Sequence, residues 1–278
     1  MRRAWPFASV VLAAVPLAAQ APAPAAPPPA PSSAVAPAPA ATGAKIWIGR
    51  YAEFEEYLRQ APIERFQAVP VGVTKPERAF FTPGGPAASA IVKRLPMGPR
   101  AGFWEAHQSE IAAYELDRLL GLDMVPVTVE RRVEGSLASL QLWVEGCRNL
   151  KDVDQSACPK PLEWAKQVCR QRVFDNLIAN IDRNAGNMLV DGEWNIILID
   201  HSRAFASDRM PFEKETTRID RETFTRLKAL DEAGLKQHLR KWVLAEGQLR
   251  DMLKRRDKIV AHFETLARER GEAAVFPF

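Results

Sequence analysis

The chain has only 3 cysteines, 3 tyrosines and 4 histidines among its 278 residues, and these shortages exclude several chemistries. No CxxC or CxxH spacing occurs and the histidines are scattered, which argues against zinc. There is no GxSxG elbow and no cysteine in an activated motif, so nothing supports a nucleophilic hydrolase. Excess charge is also scarce: 38 Lys plus Arg stand against 34 Asp plus Glu, a formal +4 without a basic block. That balance does not name nucleic acid as a partner. An apolar share of 47% and a charged share of 26% are close to the soluble average of roughly 45 to 50% and 25%. Collagen-like, coiled-coil and polytopic membrane chains are excluded, and no internal repeat is present.

The N-terminus does carry signal. Arg2 and Arg3 precede an apolar run over residues 4–19 and the small residues Ala18, Ala19 and Ala21, the charged, apolar and small-residue order of an export signal. Residues 1–21 are therefore expected to be a signal peptide. An uncleaved anchor is the alternative, and either way the body is expected outside the cytoplasm, periplasmic or secreted, with no stable membrane span after signal removal. Residues 22–44 are expected to be an extended Ala/Pro-rich linker, because residues 22–39 hold 8 of the 22 prolines and no charge. Cys147 and Cys158 are the expected disulfide in an oxidising compartment, since Pro159 and the polar stretch between them read as a loop. Cys169 reads as a buried free thiol on a helix.

The body divides into a strand-rich half, residues 45–146, and a helix-rich half, residues 147–278. Residues 45–60 read as a short helix or a strand-plus-helix lead-in. Residues 67–73, 78–82 and 89–94 have the short apolar runs and Gly/Pro punctuation of three strands, with Gly84 and Gly85 in the second turn. Residues 109–120 read as a helix with Ser109 as N-cap, an apolar stripe, and Gly121 as the stop. Strands are expected over 125–133 and 137–144, a helix over 162–180, short strands over 188–190 and 196–199, and strong helicity over 222–270.

The densest chemistry lies in FDNLIANIDRNAGNMLVDGEWNIILIDHSRAF, residues 174–205. Asp182, Asn187 and Asp200 fall on two loops separated by a short hairpin, which can bring two carboxylates and an amide to one point. Such a set suits phosphoryl transfer, with a base for the acceptor hydroxyl and an Asn/Asp pair for a divalent ion. Upstream, Lys93 closes the third strand and Glu110 opens the next helix, so the two can meet and engage phosphates. Plainer explanations exist for each: a cap for Asp182, a strand end for Asp200 and Lys93, the helix dipole for Glu110. Their joint occurrence in this order favours the chemical reading. His201 reads as a loop brace rather than a metal ligand.

On these residues the chain resembles a known family. Residues 88–205, with VKRLP, SEIAAYELDRLLGL followed by VP, FDNLIANIDRN and IDHSRAF, look like the four-jointed and Golgi casein kinase family of secretory-pathway kinases. DRNAGN is also similar to the catalytic loop of phosphoinositide 3-/4-kinases and HipA-type kinases. The resemblance implies an α+β, two-lobed, protein-kinase-like fold with a small strand-rich N-lobe and a helical C-lobe. It implies Asp182 as the catalytic Asp, Lys93 as the nucleotide lysine, and Asp200 and Glu110 as metal holders. Asn187 stands where phosphoinositide kinases have Asn and the secretory kinases Glu, and Asn184 where a His often follows Asp-Arg. Arg203 and Phe205 fit a DNGRGF-like segment, Arg bracing the loop and Phe packing beneath it. The phosphate loop departs most: Gly72-Val73-Thr74-Lys75 has one glycine instead of GxGxxG, with Lys75 to supply charge. Adenine is expected near Glu145 and Gly146.

The sequence thus points to an exported, metal-dependent enzyme that uses ATP with Mg or Mn and phosphorylates a hydroxyl on a protein, sugar or lipid head group. The alternatives are a non-catalytic pseudokinase serving as an extracytoplasmic binding module, and nucleotidyl transfer on the same fold.

Overall fold

Short strands and amphipathic helices assemble around one continuous apolar core in the computed structural model, which describes residues 44–70, 76–100, 102–205, 216–239, 241–242 and 246–278. The expected signal peptide, nearly all of the linker, and Gly72 and Lys75 lie outside the described residues.

In the N-lobe, helix α1 (Tyr51–Gln60) precedes strands β1 (Ile63–Ala68), β2 (Glu77–Phe81) and β3 (Ser89–Lys93). A hairpin of β4 (Gly98–Arg100) and β5 (Phe103–Glu105) leads into helix α2 (His107–Leu120), followed by β6 (Thr128–Val133) and β7 (Ser136–Leu142). The sheet order is β1-β2-β3-β7-β6, antiparallel throughout. Central β3 is mostly buried and carries Ser-Ala-Ile-Val-Lys, whereas edge strand β1 is largely exposed. Helices α1 and α2 pack on β6 and β7 and bury Phe54, Leu58, Tyr114, Leu116 and Leu120. Each such side chain contributes on the order of 1.5 to 3 kcal/mol by leaving water. The β2–β3 turn needs its glycines: Gly84 has φ +104°, and a Cβ on Gly85 would lie 2.2 Å from the Tyr57 ring.

The C-lobe begins with β8 (Arg148–Asn149) and helix α3 (Pro161–Ile178), with proline in the first turn where a missing N–H costs nothing. Strands β9 (Met188–Val190) and β10 (Ile196–Leu198) join β8 in a three-stranded sheet. Helices α4 (Arg221–Ala229), α5 (Glu232–Leu239), α6 (Glu246–Arg270) and α7 (Glu272–Val275) complete the lobe. The α+β architecture expected from the sequence, a strand-rich N-lobe followed by a helical C-lobe, is the one observed. No helix among the described residues is long and apolar enough to cross a membrane.

Several local expectations are corrected. The first strand lies at Ile63–Ala68, starting four residues before the expected 67–73, of which 71–73 lie outside the described residues; an edge strand with a register irregularity near Ile63 shows no clean alternation. Helix α2 starts at His107, and Ser109 is not its cap. The entry is tied instead by tertiary bonds, Ala106 N to Ser202 O at 3.1 Å and His107 N to Leu95 O at 3.1 Å, while the Ser109 hydroxyl donates to Ala204 O. Gly121 ends the helix as expected, in the left-handed conformation at φ +58°. Cys147 and Cys158 are free thiols rather than a disulfide. The stretch between them is no loose loop: Arg148 and Asn149 pair with β9, and Asn149 and Asp154 each cap a turn of 3-10 helix, which fixes both ends independently.

Candidate active site

Lys93 is the last residue of β3, held in register opposite Ser139 of β7. Its ammonium is buried and donates to Glu110 of α2 and, at 2.7 Å, to Asp200 Oδ1. Burial by itself would lower the lysine pKa, but the Asp200 and Glu110 charges outweigh it and the net shift is upward. For Glu110 burial pushes upward, and the Lys93 charge with the His201 hydrogen bond drives the net shift well below the usual carboxylate range. The other Glu110 oxygen accepts the backbone N–H of His201 at 2.9 Å. Helix α2 is thereby bolted to the segment after β10, and neither Glu110 oxygen is free.

Asp200 sits at φ +59°, a conformation that Asp tolerates better than most residues, and its carboxylate also accepts from Ser202 Oγ at 3.2 Å. Asp182 lies in the loop after α3, partly exposed. Its Oδ2 accepts from Arg203 Nη1 at 3.1 Å, and its carbonyl accepts from the side chains of Asn184 and Asn187, both at 3.0 Å. The Asn187 amide nitrogen is thus committed to that loop.

A buried guanidinium holds the loop in shape. Arg183 grips Asp175 of α3 with two nitrogens, at 2.9 and 3.1 Å, and donates to the carbonyls of Asn187 and Ile199 at 2.5 and 2.8 Å. Its Nη2 lies 2.8 Å from His201 Nε2. A guanidinium has no acceptor, so Nε2 must accept and the ring proton sits on Nδ1, facing Glu110 3.7 Å away. Burial, ahead of the Arg183 charge, lowers the His201 pKa, which agrees with a neutral ring. His201 is a brace, as expected from the sequence.

Lys93, Asn187 and Asp200 line one side of a cavity of about 290 Å³ between the lobes. Val69, Pro76 and Ile91 from the first strands, Gln141 to Val144 at the end of β7, and Leu189 and Ile199 of the C-lobe hairpin also line it. A mostly apolar cleft with a few polar side chains in its lining has the make-up of a small-molecule site. Glu145 does not line it: that side chain is 64% exposed and pairs with Arg78. The lining is supplied by the residues just before it, and Cys147 just after. Gly72 and Lys75 fall outside the described residues, though the flanking Val69 and Pro76 line the cavity. Among the described residues no group of three or more His, Cys, Asp or Glu converges as a metal site. Sequence reasoning missed the roles of Asp175 and Glu105; the first was hinted at by Asp175 and Arg183 closing one helix end, the second had no signal.

The chain has a protein-kinase-like fold. Among solved structures it is similar to the Golgi casein kinase with Mn/ADP bound, at 16% identity and a TM-score of 0.63 over 81% of this chain and 78% of that one. Similar too are the hydra Fam20 solved with sugar, at 16% identity and TM-score 0.59 over 81% and 91%, and the Helicobacter pylori proinflammatory kinase CtkA, at 14% and 0.51 over 77% and 98%. At such identities the likeness is one of fold. No protein-family model matches the chain, and no curated protein matches it.

Proposed function

We propose that this chain is an exported phosphotransferase that moves the γ-phosphoryl of ATP to a hydroxyl on an acceptor, with Mg or Mn. The observation that carries the reading is Lys93, in the lining of a mostly apolar cleft, bonded at once to Glu110 and Asp200. Lys93 would neutralise the phosphates, Asp182 would accept the acceptor hydroxyl proton through its exposed oxygen, and Arg183 would keep the loop between them in register. Asp200 and Asn187 offer oxygen donors suited to a hard divalent cation, whose part would be to neutralise charge on the phosphate oxygens. Glu110 serves Lys93 and His201 in this arrangement rather than the metal. Export is supported by the Arg2-Arg3 and apolar N-terminal order.

The test is the melting temperature of the full chain with ATP and Mg or Mn, beside Asp200→Asn. Ligand at 100 times its Kd would add about 2.7 kcal/mol, or very roughly 5 to 11 °C for a domain of this size. The expected result is a metal-dependent rise that the variant loses. No shift with any nucleotide would refute the reading.

A further inference from the structure

We infer that the β4–β5 hairpin, through Glu105 and Arg203, is the positioning element for Asp182, an inference that rests on the proposed phosphotransfer reading. Arg203 follows Asp200 by three residues and its guanidinium is held on three sides. Nε donates to Glu105 Oε1 at 2.8 Å, Nη1 donates to Asp182 Oδ2 at 3.1 Å, and the Phe103 ring lies 4.2 Å from the guanidinium carbon. Phe103 and Glu105 are two apart on β5, so both project from the same face of the strand, toward Arg203. The strand end is itself pinned, since Ala106 N donates to Ser202 O at 3.1 Å beside Arg203.

This geometry has a chemical consequence. Glu105 is 1% exposed and fixes where the guanidinium sits; the guanidinium in turn engages one oxygen of Asp182 and leaves the other for an acceptor. A carboxylate in a loop, 39% exposed on its own, would sample several rotamers. Held through Oδ2, it presents Oδ1 in one direction, and a misplacement of about 1 Å at such a group costs about 10²-fold in rate. The guanidinium holds the two carboxylates from two separate nitrogens of one rigid plane, Nε and Nη1; a lysine keeps the charge but offers a single nitrogen on a flexible stem and loses that fixed geometry. Asp182 does not line the nucleotide cavity, so the effect belongs to turnover rather than to nucleotide affinity.

The experiment measures nucleotide turnover by the full chain under single-turnover and steady-state conditions, with ATP and Mg or Mn. Arg203→Lys, Glu105→Gln and Asp182→Asn are compared alone and combined, and nucleotide binding is followed separately by melting temperature. Because Arg203→Met would strand the buried Glu105 charge and can fail to fold, the double variant Glu105→Gln/Arg203→Met replaces it. The inference expects kcat to fall about 10- to 100-fold in Arg203→Lys and in the double variant, with KM for ATP within about 2-fold of the parent. It expects no further fall when either change is added to Asp182→Asn, because a lost base no longer needs positioning. A raised KM with unchanged kcat, or an undiminished further loss in the Asp182→Asn background, would overturn it. Binding of nucleotide without turnover would also overturn it while leaving the nucleotide site intact, whereas absence of binding would remove the phosphotransfer reading itself.

Discussion

Removing Lys93 should destabilise the protein in a way that acid repairs. In Lys93→Met the partner left behind is Glu110, 1% exposed, which loses the cation that donates to it. Breaking a buried pair by deleting one member costs about 3 to 5 kcal/mol, and at about 2 to 4 °C per kcal/mol for a domain of this size the melting temperature at pH 8 should fall by roughly 6 to 20 °C. The Asp200 contact adds little, because that carboxylate is 31% exposed. In the parent, Glu110 is depressed below its ordinary value of 4.5, so its contribution is full above that pH and is lost only as pH falls further. In the variant, burial acts with the Lys93 attraction removed, so the folded pKa moves above the unfolded one. The sign reverses: stability is greatest below about pH 4.5 and falls as pH rises. The deficit should therefore shrink between pH 8 and pH 5 in metal-free buffer, and Glu110→Gln added to Lys93→Met should recover most of it. A variant melting within about 2 °C of the parent at pH 8, or one that Glu110→Gln fails to rescue, would refute the buried-pair argument.

Other outcomes follow from the same contacts. Asp182→Ala should lower turnover by about 10²- to 10⁴-fold, the range for a positioned base, with the melting temperature nearly unchanged because the side chain is partly exposed; a fall in stability would contradict its placement. Arg183→Met strands Asp175, which is 5% exposed, so it should cost about 3 to 5 kcal/mol and abolish the nucleotide-dependent rise in melting temperature. Cys147 lines the cleft, and burial, ahead of the Asp191 and Glu145 charges, pushes its thiol up to about 11. Alkylation by a maleimide, mapped by mass spectrometry, should be slow at pH 7, accelerate as pH rises toward that value, and be suppressed by ATP with metal.

What the sequence made legible was periodicity and order. Residues 109–120 announced a helix because one face is apolar and Gly121 can turn left-handed, and 188–190 and 196–199 announced a hairpin because Met-Leu-Val and Ile-Ile-Leu are short apolar runs. The pairing of Lys93 with Glu110 was legible because each sits at the end of a readable element. The β4–β5 hairpin was not: Gly-Pro-Arg and Phe-Trp-Glu are too short for alternation, and the bonds that hold them come from Ser202 and Arg203, about a hundred residues away. Among the described residues the 222–270 region divides into three helices, and the second is entered at Asp231, whose side chain accepts from Gly234 N at 2.7 Å, a local cap that a reading of bulk helical propensity passes over. The cysteine pairing failed for the same reason, since spacing in sequence says nothing of the caps and strand bonds that hold Cys147 and Cys158 apart in role.

Asp200 shows how the strain at the site is maintained, and the choice of variant depends on it. Its backbone is held from both sides: Ile199 N donates to Asn187 O at 3.2 Å, Ile199 O accepts from Arg183 at 2.8 Å, and His201 N donates to Glu110 at 2.9 Å. A residue so over-determined stays left-handed whatever its side chain prefers. Asn tolerates that conformation nearly as well as Asp, whereas Ala pays about 1 to 2 kcal/mol for it. Asp200→Asn should therefore melt close to the parent while losing the metal-dependent nucleotide shift, and Asp200→Ala should lose both that shift and roughly 2 to 8 °C of intrinsic stability. Calorimetry of the two variants with and without ATP and metal separates the backbone cost from the chemical one. Equal melting temperatures for Asn and Ala without nucleotide would mean that residue 200 is not held left-handed, and with it would go the argument that the segment from Ile199 to His201 aims this carboxylate at the cleft.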